Sequence, residues 1–178
     1  MRLFLGIDLP TSEKEKLYEQ IEPLEKKYPA FDWTDPNLYH ATLQFFGEVE
    51  NVPKLNDAIE RATFDKKRFY LYGLDVGMFP SLHQVTLYLH YQRQKAIDDI
   101  VDTLEEMYPT FVKQRSFIFH TTIARAKASS KQQYFHLKKR LKEIKVDISF
   151  PVEAVTLFGS TKDNEGRKYI ELKKFPLL

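Results

Sequence analysis

A His-x-Thr pattern occurs twice in this 178-residue chain, and it constrains the fold more than any other feature. The two copies are His40-Ala41-Thr42-Leu43-Gln44-Phe45 and His120-Thr121-Thr122-Ile123-Ala124-Arg125. Each copy lies in a run that reads as a β-strand, in which successive side chains alternate between the two faces. We therefore expect each His to share a face with the Thr two positions later. The intervening Leu43, Phe45 and Ile123 should face a core.

Two strands of this kind meeting across a cleft would surround one small anion with two imidazoles and two hydroxyls. In-line displacement at phosphorus needs a base for the incoming oxygen and an acid for the departing oxygen, on opposite sides. Imidazole suits both tasks because its ordinary pKa is close to neutral pH. A threonine hydroxyl can donate a hydrogen bond to a non-bridging phosphate oxygen. His40 and His120 are the predicted acid and base, with Thr42 and Thr122 as phosphate ligands; the two motifs are too symmetric to assign donor and acceptor.

Arg125 is a further candidate ligand for the phosphate because a guanidinium forms strong contacts with its oxygens. Strict alternation would place the Arg125 side chain with Ile123, away from His120. The contact therefore requires that the strand twists or ends at Arg125.

One His-x-Thr in a strand is more often ordinary sheet surface than a catalytic element. The prediction of a catalytic site therefore depends on the presence of two copies. His83, His90 and His136 have no Thr two positions later, and we interpret them as surface or strand-edge residues. Gln44 is interpreted as a solvent-exposed strand residue.

Hydrophobic periodicity predicts strands and helices that alternate along most of the chain. The predicted strands cover about residues 3–8, 39–46, 69–76, 85–90, 116–124, 154–160 and 168–174. Helices are predicted to begin near Pro10, with a capping box at Ser12 and Glu15, and near Pro53, and to cover about 94–107 and 131–144. Turns are predicted at 77–81 and 163–166. We expect an α+β fold in a single bilobal domain over residues 1–178: two similar lobes of mainly antiparallel sheet, helices on the outside and a central cleft.

Composition narrows the possible chemistry further. The chain has 27 basic and 25 acidic residues, which does not predict a general coat for nucleic acid. It has no cysteine, so disulfides, thiolate zinc sites and a cysteine nucleophile are excluded. The sequence has no phosphate-binding glycine loop, no Gly-x-Ser-x-Gly and no His-Glu-x-x-His, and we expect neither a metal nor a cofactor. No segment has the layout of a signal peptide or a membrane span, and the expected location is the cytoplasm.

The doubled motif resembles that of the two-histidine phosphoesterase superfamily, and more closely that of the LigT-like RNA 2′,3′-cyclic phosphodiesterases, also called 2′-5′ RNA ligases. Phe45-Phe46-Gly47 after the first copy and Ala124-Arg125 after the second extend the likeness. So do looser matches at Arg2-Leu3-Phe4-Leu5-Gly6-Ile7, Gly77-Met78-Phe79-Pro80 and Val155-Thr156-Leu157-Phe158-Gly159-Ser160. The second motif departs from the family pattern at Phe119, where Pro is common, and at Thr121, where a hydrophobic residue is usual.

This resemblance implies metal-free opening of a 2′,3′-cyclic phosphate at an RNA 3′ end, which leaves a 2′-phosphate. By motif position, His40 would be the proton donor to the leaving 3′-oxygen and His120 the acceptor that activates water. The implied partner is an RNA 3′ end, or a nucleotide, that bears a cyclic phosphate; we expect no membrane association and a monomer. Tyr39, Phe46 and Phe79 are candidates for stacking a terminal base.

Two alternatives remain open from the sequence. One keeps the same residues but acts on small cyclic nucleotides or on 2′-5′ linkages, including ligation as the reverse reaction. The other is an RNA-end binding module without turnover. The retention of two histidines disfavours it, because Arg or Lys would hold a phosphate at every physiological pH.

Overall fold

The computed structural model describes residues 1–80, 84–108, 118–127, 130–163 and 166–178. The strands are β1 (Arg2–Asp8), β2 (Asp32–Trp33), β3 (His40–Gly47), β4 (Phe69–Pro80), β5 (Gln84–Tyr91), β6 (His120–Lys127), β7 (Ser149–Val152), β8 (Ala154–Asp163) and β9 (Gly166–Pro176). The helices are α1 (Thr11–Lys27), α2 (Val52–Thr63), α3 (Lys95–Met107) and α4 (Lys131–Leu141), with a 3₁₀ turn at Pro36–Leu38. The predicted α+β class is confirmed.

Antiparallel pairing joins these strands into one sheet with the order β7-β4-β5-β6-β3-β1-β8-β9. The two halves, β7-β4-β5-β6 and β3-β1-β8-β9, meet where β3 pairs with β6 through Ala41 and Thr121. Further along β6, the short β2 replaces β3 as its neighbour, and Asp32 of β2 pairs with Arg125 of β6. Each half contributes one motif strand, so the two motif strands are direct neighbours at the centre of the sheet.

The hydrophobic core occupies one face of this sheet. Helices α2 and α3 pack on each other and on β9 and β3, respectively, and α4 packs on β4. Leu55 of α2, Ile100 of α3 and the strand residues Leu43 and Ile123 are at most 1% exposed. The opposite face of the central strands is left open to form the cleft.

Strand β4 is longer than the sequence predicts, since it runs through Gly77–Pro80. The predicted turn at 77–81 is therefore wrong for residues 77–80, and Ser81 lies outside the described residues. Gly77 pairs with Tyr88 of β5, and a Cβ at Gly77 would lie 2.7 Å from the Tyr88 ring. Gly77 therefore allows the Tyr88 ring to pack closely on the β4 backbone, and it does not form a turn.

The predicted capping box at Ser12 and Glu15 is also wrong. Helix α1 begins at Thr11 with Pro10 as its N-cap, and no side chain caps it. A capping box is present instead in α4, where Ser130 and Gln133 each bond the other's backbone N–H.

Two other expectations fall partly outside the described residues. The motif strand predicted at 116–124 is described from His120, and residues 116 and 117 are not covered. The turn predicted at 163–166 is flanked by the pair Asp163 and Gly166, while 164 and 165 are not covered. Within the described chain, no helix is long and apolar enough to cross a membrane.

Candidate active site

The pairing of β3 with β6 brings the two motifs together. Ala41 lies opposite Thr121 in antiparallel register, so His40 is beside Thr122 and Thr42 is beside His120. Ala41 and Thr121 are fully buried. The four motif side chains are half-buried on the cleft face, His40 and Thr42 in one strand and His120 and Thr122 in its neighbour. The grouping predicted from period-two alternation is therefore present in the structure.

Both imidazoles are held by the same local hydrogen bond. Nδ1 of His40 lies 2.7 Å from the carbonyl oxygen of Leu38, and Nδ1 of His120 lies 2.6 Å from that of Ile118. A carbonyl oxygen only accepts, so Nδ1 is the donor in each case. The neutral ring then carries its lone pair on Nε2, which can act as a base or, once protonated, as an acid.

A β-bulge follows the Thr of each motif and changes the face of the residues beyond it. In β3, Leu5 pairs with Gln44 but Gly6 pairs with Thr42, which leaves Leu43 as the extra residue. Gln44 consequently points into the core with Leu43 and is 5% exposed, whereas Phe45 is 57% exposed. The predictions that Phe45 faces the core and that Gln44 faces solvent are both wrong for this reason.

The bulge in β6 has the same form. Leu87 pairs with Ala124 and Tyr88 with Thr122, so Ile123 is the extra residue. Ile123 and Ala124 are both buried, and Arg125 is exposed on the side of Thr122. The break in alternation that an Arg125–phosphate contact requires is thus built into the strand.

Aromatic side chains enclose His40. The rings of Phe4 and Tyr169 lie with their centroids 4.8 Å from the His40 ring, and that of Phe158 lies at 6.2 Å. Phe4 also stacks on Phe158 at 5.1 Å, so the wall is continuous. This packing fixes the plane of the imidazole and removes water from one of its faces.

A second aromatic pair encloses His120. Phe79 and Tyr88 stack at 3.9 Å, and both present their rings edge-on to His120, at 5.1 and 5.4 Å. Of the three proposed base-stacking residues, Phe79 alone reaches the site. Tyr39 is buried in the core, and Phe46 packs against Tyr108.

The electrostatic surroundings of the two histidines differ. Burial lowers the pKa of His40, while the hydrogen bond to the Leu38 carbonyl and the negative charge of Asp8 act in the opposite direction. Asp8 pairs directly with His40 across β1 and β3, and its carboxylate binds Lys14 at 2.7 Å, whose charge lowers the His40 pKa again.

Burial also lowers the pKa of His120, again against the effect of its carbonyl hydrogen bond. Here the neighbouring charges add to the lowering, since both Arg125 and His90 disfavour the imidazolium. His90 pairs with His120 across β5 and β6, and its Nδ1 lies 3.6 Å from Asp75. His90, interpreted from the sequence as a surface or strand-edge residue, lies on an interior strand of the sheet with its side chain 40% exposed; His83 lies outside the described residues.

Sequence reasoning missed several parts of this site. Tyr169 and Phe158 come from the last two strands, and nothing in their local pattern relates them to His40. Asp8 and His90 could have been found only by knowing which strands neighbour the motifs. Among the described residues, no group of three or more His, Asp and Glu side chains is arranged to hold a metal ion.

Sequence comparison relates the chain to a known family of proteins. The family model described as the 2′-5′ RNA ligase superfamily matches residues 13–164. The chain is similar to the RNA 2′,3′-cyclic phosphodiesterase of Methanocaldococcus jannaschii, with 26% identity over 184 residues that cover 98% of this chain and 100% of that protein.

Solved structures share the fold. The protein TT0787 of Thermus thermophilus superposes with a TM-score of 0.74 at 21% identity, and covers 99% of this chain and 98% of its own. The E. coli protein LigT complexed with 3′-AMP has a TM-score of 0.72 at 23% identity, with 99% and 97% covered.

Proposed function

Because the chain belongs to the 2′-5′ RNA ligase superfamily, we propose that it hydrolyses the 2′,3′-cyclic phosphate at RNA 3′ ends to a 2′-phosphate, without a metal ion. The observation that carries this proposal is the pair of imidazoles on adjacent strands, each bonded through Nδ1 to a backbone carbonyl and each with Nε2 available. The similarity to an RNA 2′,3′-cyclic phosphodiesterase supports the substrate class.

The reaction needs one proton transfer at each end of the line of attack. His120 accepts a proton from water at Nε2 as the water oxygen forms its bond to phosphorus. The bond between phosphorus and the 3′-oxygen breaks, and protonated His40 gives its Nε2 proton to that oxygen. The products are a free 3′-hydroxyl and a 2′-phosphate. Exchange with solvent then returns a proton to His40 and removes one from His120.

The charges around each ring support this assignment of roles. Asp8 favours the imidazolium of His40, which suits a general acid, while the charges of Lys14 and His120 act against it; no carboxylate of the described residues acts on His120 in this way. Arg125 and His90 disfavour the imidazolium of His120, which suits a general base. The motifs are nearly identical in sequence, so the distinction comes from residues outside them.

Thr42, Thr122 and Arg125 complete the proposed phosphate site. The two hydroxyls lie on the cleft face beside the imidazoles, and each can donate to a non-bridging oxygen. Arg125 adds a positive charge that balances the anion as the transition state forms.

The direct test is a product-resolved assay on a short RNA with a 2′,3′-cyclic phosphate end, with chelator present. We expect the 2′-phosphate as the sole product, and a loss of about a hundredfold or more in rate for His40→Ala or for His120→Ala. Strict dependence on added metal, or formation of the 3′-phosphate, would contradict the proposal. RNA binding without product, unchanged in both variants, would indicate an RNA-end binding module instead.

A further inference from the structure

Two cavities lie beside Tyr169, whose ring contacts that of His40. One of about 310 Å³ lies over β1, β3, β8 and β9, and one of about 450 Å³ lies between β2, β6 and the β8–β9 end. Both are lined by Arg167 and Tyr169. We call these two neighbouring cavities together the β9 groove; the side chains used below are Arg2, Trp33, Phe45, Arg125, Lys162, Arg167 and Tyr169.

The groove reaches the proposed acid through two residues that contact it. Tyr169 lines both cavities and contacts the His40 ring. Leu38, whose carbonyl accepts the His40 hydrogen bond, lines the larger cavity. The groove therefore lies next to His40, and Arg125 lines both the groove and the proposed phosphate site.

Positive charge is concentrated along the groove. Lys162 and Arg167 lie directly opposite each other in the β8–β9 ladder, an arrangement that is unfavourable unless an anion lies near it. Arg2 and Arg125 line the groove on either side, and none of the four cations forms an ion pair within the described residues. Asp32 and Asp35 also line it, so among the described lining residues the cations outnumber the carboxylates by four to two.

Aromatic surface lies between these cations. Phe45, turned out of the core by the β3 bulge, is 57% exposed and packs one side on Phe4. The Trp33 indole lines the far cavity, where its Nε1 donates to the Tyr28 carbonyl and fixes the ring. The groove thus combines cations with one exposed ring, Phe45, and the partly buried rings of Trp33 and Tyr169. Such a lining suits single-stranded nucleic acid, since the cations follow the backbone and the rings stack on bases.

The stereochemistry of the proposed reaction indicates on which side of phosphorus the RNA lies. The departing 3′-oxygen stays attached to the ribose, so the ribose lies on the same side of phosphorus as the acid, and the chain 5′ of it begins on that side. That side is His40 and the groove, whereas water approaches from the side of His120. We propose that the β9 groove binds the nucleotides 5′ of the cyclic phosphate, which makes a single-stranded oligoribonucleotide the preferred substrate. This assignment rests on the proposed function for its direction.

The test compares a mononucleoside 2′,3′-cyclic phosphate with a five-nucleotide RNA that carries the same end. We expect the kcat/KM of the wild-type protein to favour the RNA by about fivefold or more, because at least one further base can stack. Arg167→Gln should remove most of this preference. It should also reduce the slope of log KM against log salt for the RNA by about 0.7, the value for one lost phosphate contact on a single strand.

Two control variants match the substitutions in the groove. Lys139→Gln removes one exposed charge from α4, and Phe135→Ala removes a ring that is 56% exposed, to be compared with Phe45→Ala. The controls should retain the preference for RNA, whereas Phe45→Ala should lower it. Equal kcat/KM for the two substrates in the wild-type protein, or equal effects of Arg167→Gln and Lys139→Gln, would overturn the proposal.

A binding measurement separates this inference from the proposed function. Fluorescence anisotropy with a five-nucleotide RNA ending in a 2′-phosphate reports on the groove whether or not turnover occurs. Weaker binding for Arg167→Gln than for Lys139→Gln would support the groove even if no substrate is hydrolysed. Equal binding by the two variants would count against it.

Discussion

Thr121 and Thr122 are consecutive residues with opposite surroundings. Thr121 is fully buried, and its hydroxyl lies 2.8 Å from the buried hydroxyl of Tyr91. Thr122 faces the cleft beside His40. Thr121 occupies a position where the family pattern has a hydrophobic residue. Its buried hydroxyl is hydrogen-bonded by Tyr91, a second polar residue, from β5.

These surroundings predict separate effects on stability and on activity. Thr121→Val leaves the Tyr91 hydroxyl without its partner and should lower the free energy of unfolding by about 1–3 kcal/mol, while activity is retained. Thr122→Val should change stability by less than about 0.5 kcal/mol but reduce kcat. Urea denaturation and steady-state kinetics on both variants check this. If Thr122→Val were the more destabilising of the two, the assignment of faces would be wrong.

Asp8 is predicted to affect the high-pH side of the pH profile, where the general acid loses its proton. Asp8→Asn removes the negative charge that favours protonated His40, so the His40 pKa should fall further. Because the acid must be protonated, the decrease of kcat/KM at high pH should then begin at a lower pH. The pH dependence of kcat/KM measures this directly.

His90→Gln provides the matched comparison on the other side. It removes a group whose charge disfavours protonated His120, so the limb at low pH should move to higher pH. If Asp8→Asn moved the low-pH limb and His90→Gln the high-pH limb, the donor and acceptor roles would have to be exchanged.

At the scale of single elements, the motif strands were predictable up to their bulges. Alternation correctly grouped each His with its Thr, because both lie before the extra residue. The bulges at Leu43 and Ile123 have no local signature: each lies in an apolar run that reads as a regular strand. Whether such a run pairs evenly depends on the neighbouring strand, so the faces of Phe45 and Arg125 could not be derived from the sequence alone.

The first residues of the helices were also only partly predictable from the sequence. Ser12 and Ser130 each precede a glutamate or glutamine by three residues, yet only Ser130 forms the box. Pro10 and Thr11 start α1 earlier and leave Ser12 inside its first turn. A capping pattern therefore indicates a nearby helix start but does not fix the first residue.

This difference is testable with two serine variants. Ser130→Ala should lower the free energy of unfolding by about 1 kcal/mol, since the N-cap hydrogen bond to Gln133 is lost. Ser12→Ala should have little effect, because Ser12 caps nothing. Thermal or urea denaturation of both variants measures the contrast. A larger loss for Ser12→Ala would mean that α1 is capped by Ser12 after all.

At the scale of the whole molecule, the site depends on bringing two halves of the sheet together. Each half buries one imidazole among aromatic rings that come from its own strands. His40 is enclosed by residues of β1, β8 and β9, and His120 by residues of β4 and β5. The folded protein thus holds both rings in surroundings that disfavour their charge, which the unfolded chain does not.

This burial predicts how stability depends on pH. The folded-state pKa of each histidine lies below its ordinary value, so at mildly acidic pH the unfolded state binds more protons than the folded state. The free energy of unfolding should therefore be greatest above the ordinary histidine pKa of about 6.5 and fall as pH decreases below it, by no more than about 1.4 kcal/mol per pH unit for each ring. The double variant His40→Gln/His120→Gln should show a flatter dependence between about pH 5 and 7, where most carboxylates stay ionised. Urea denaturation across that range distinguishes the two proteins, and an equally steep decline in the variant would place the acid sensitivity outside the site.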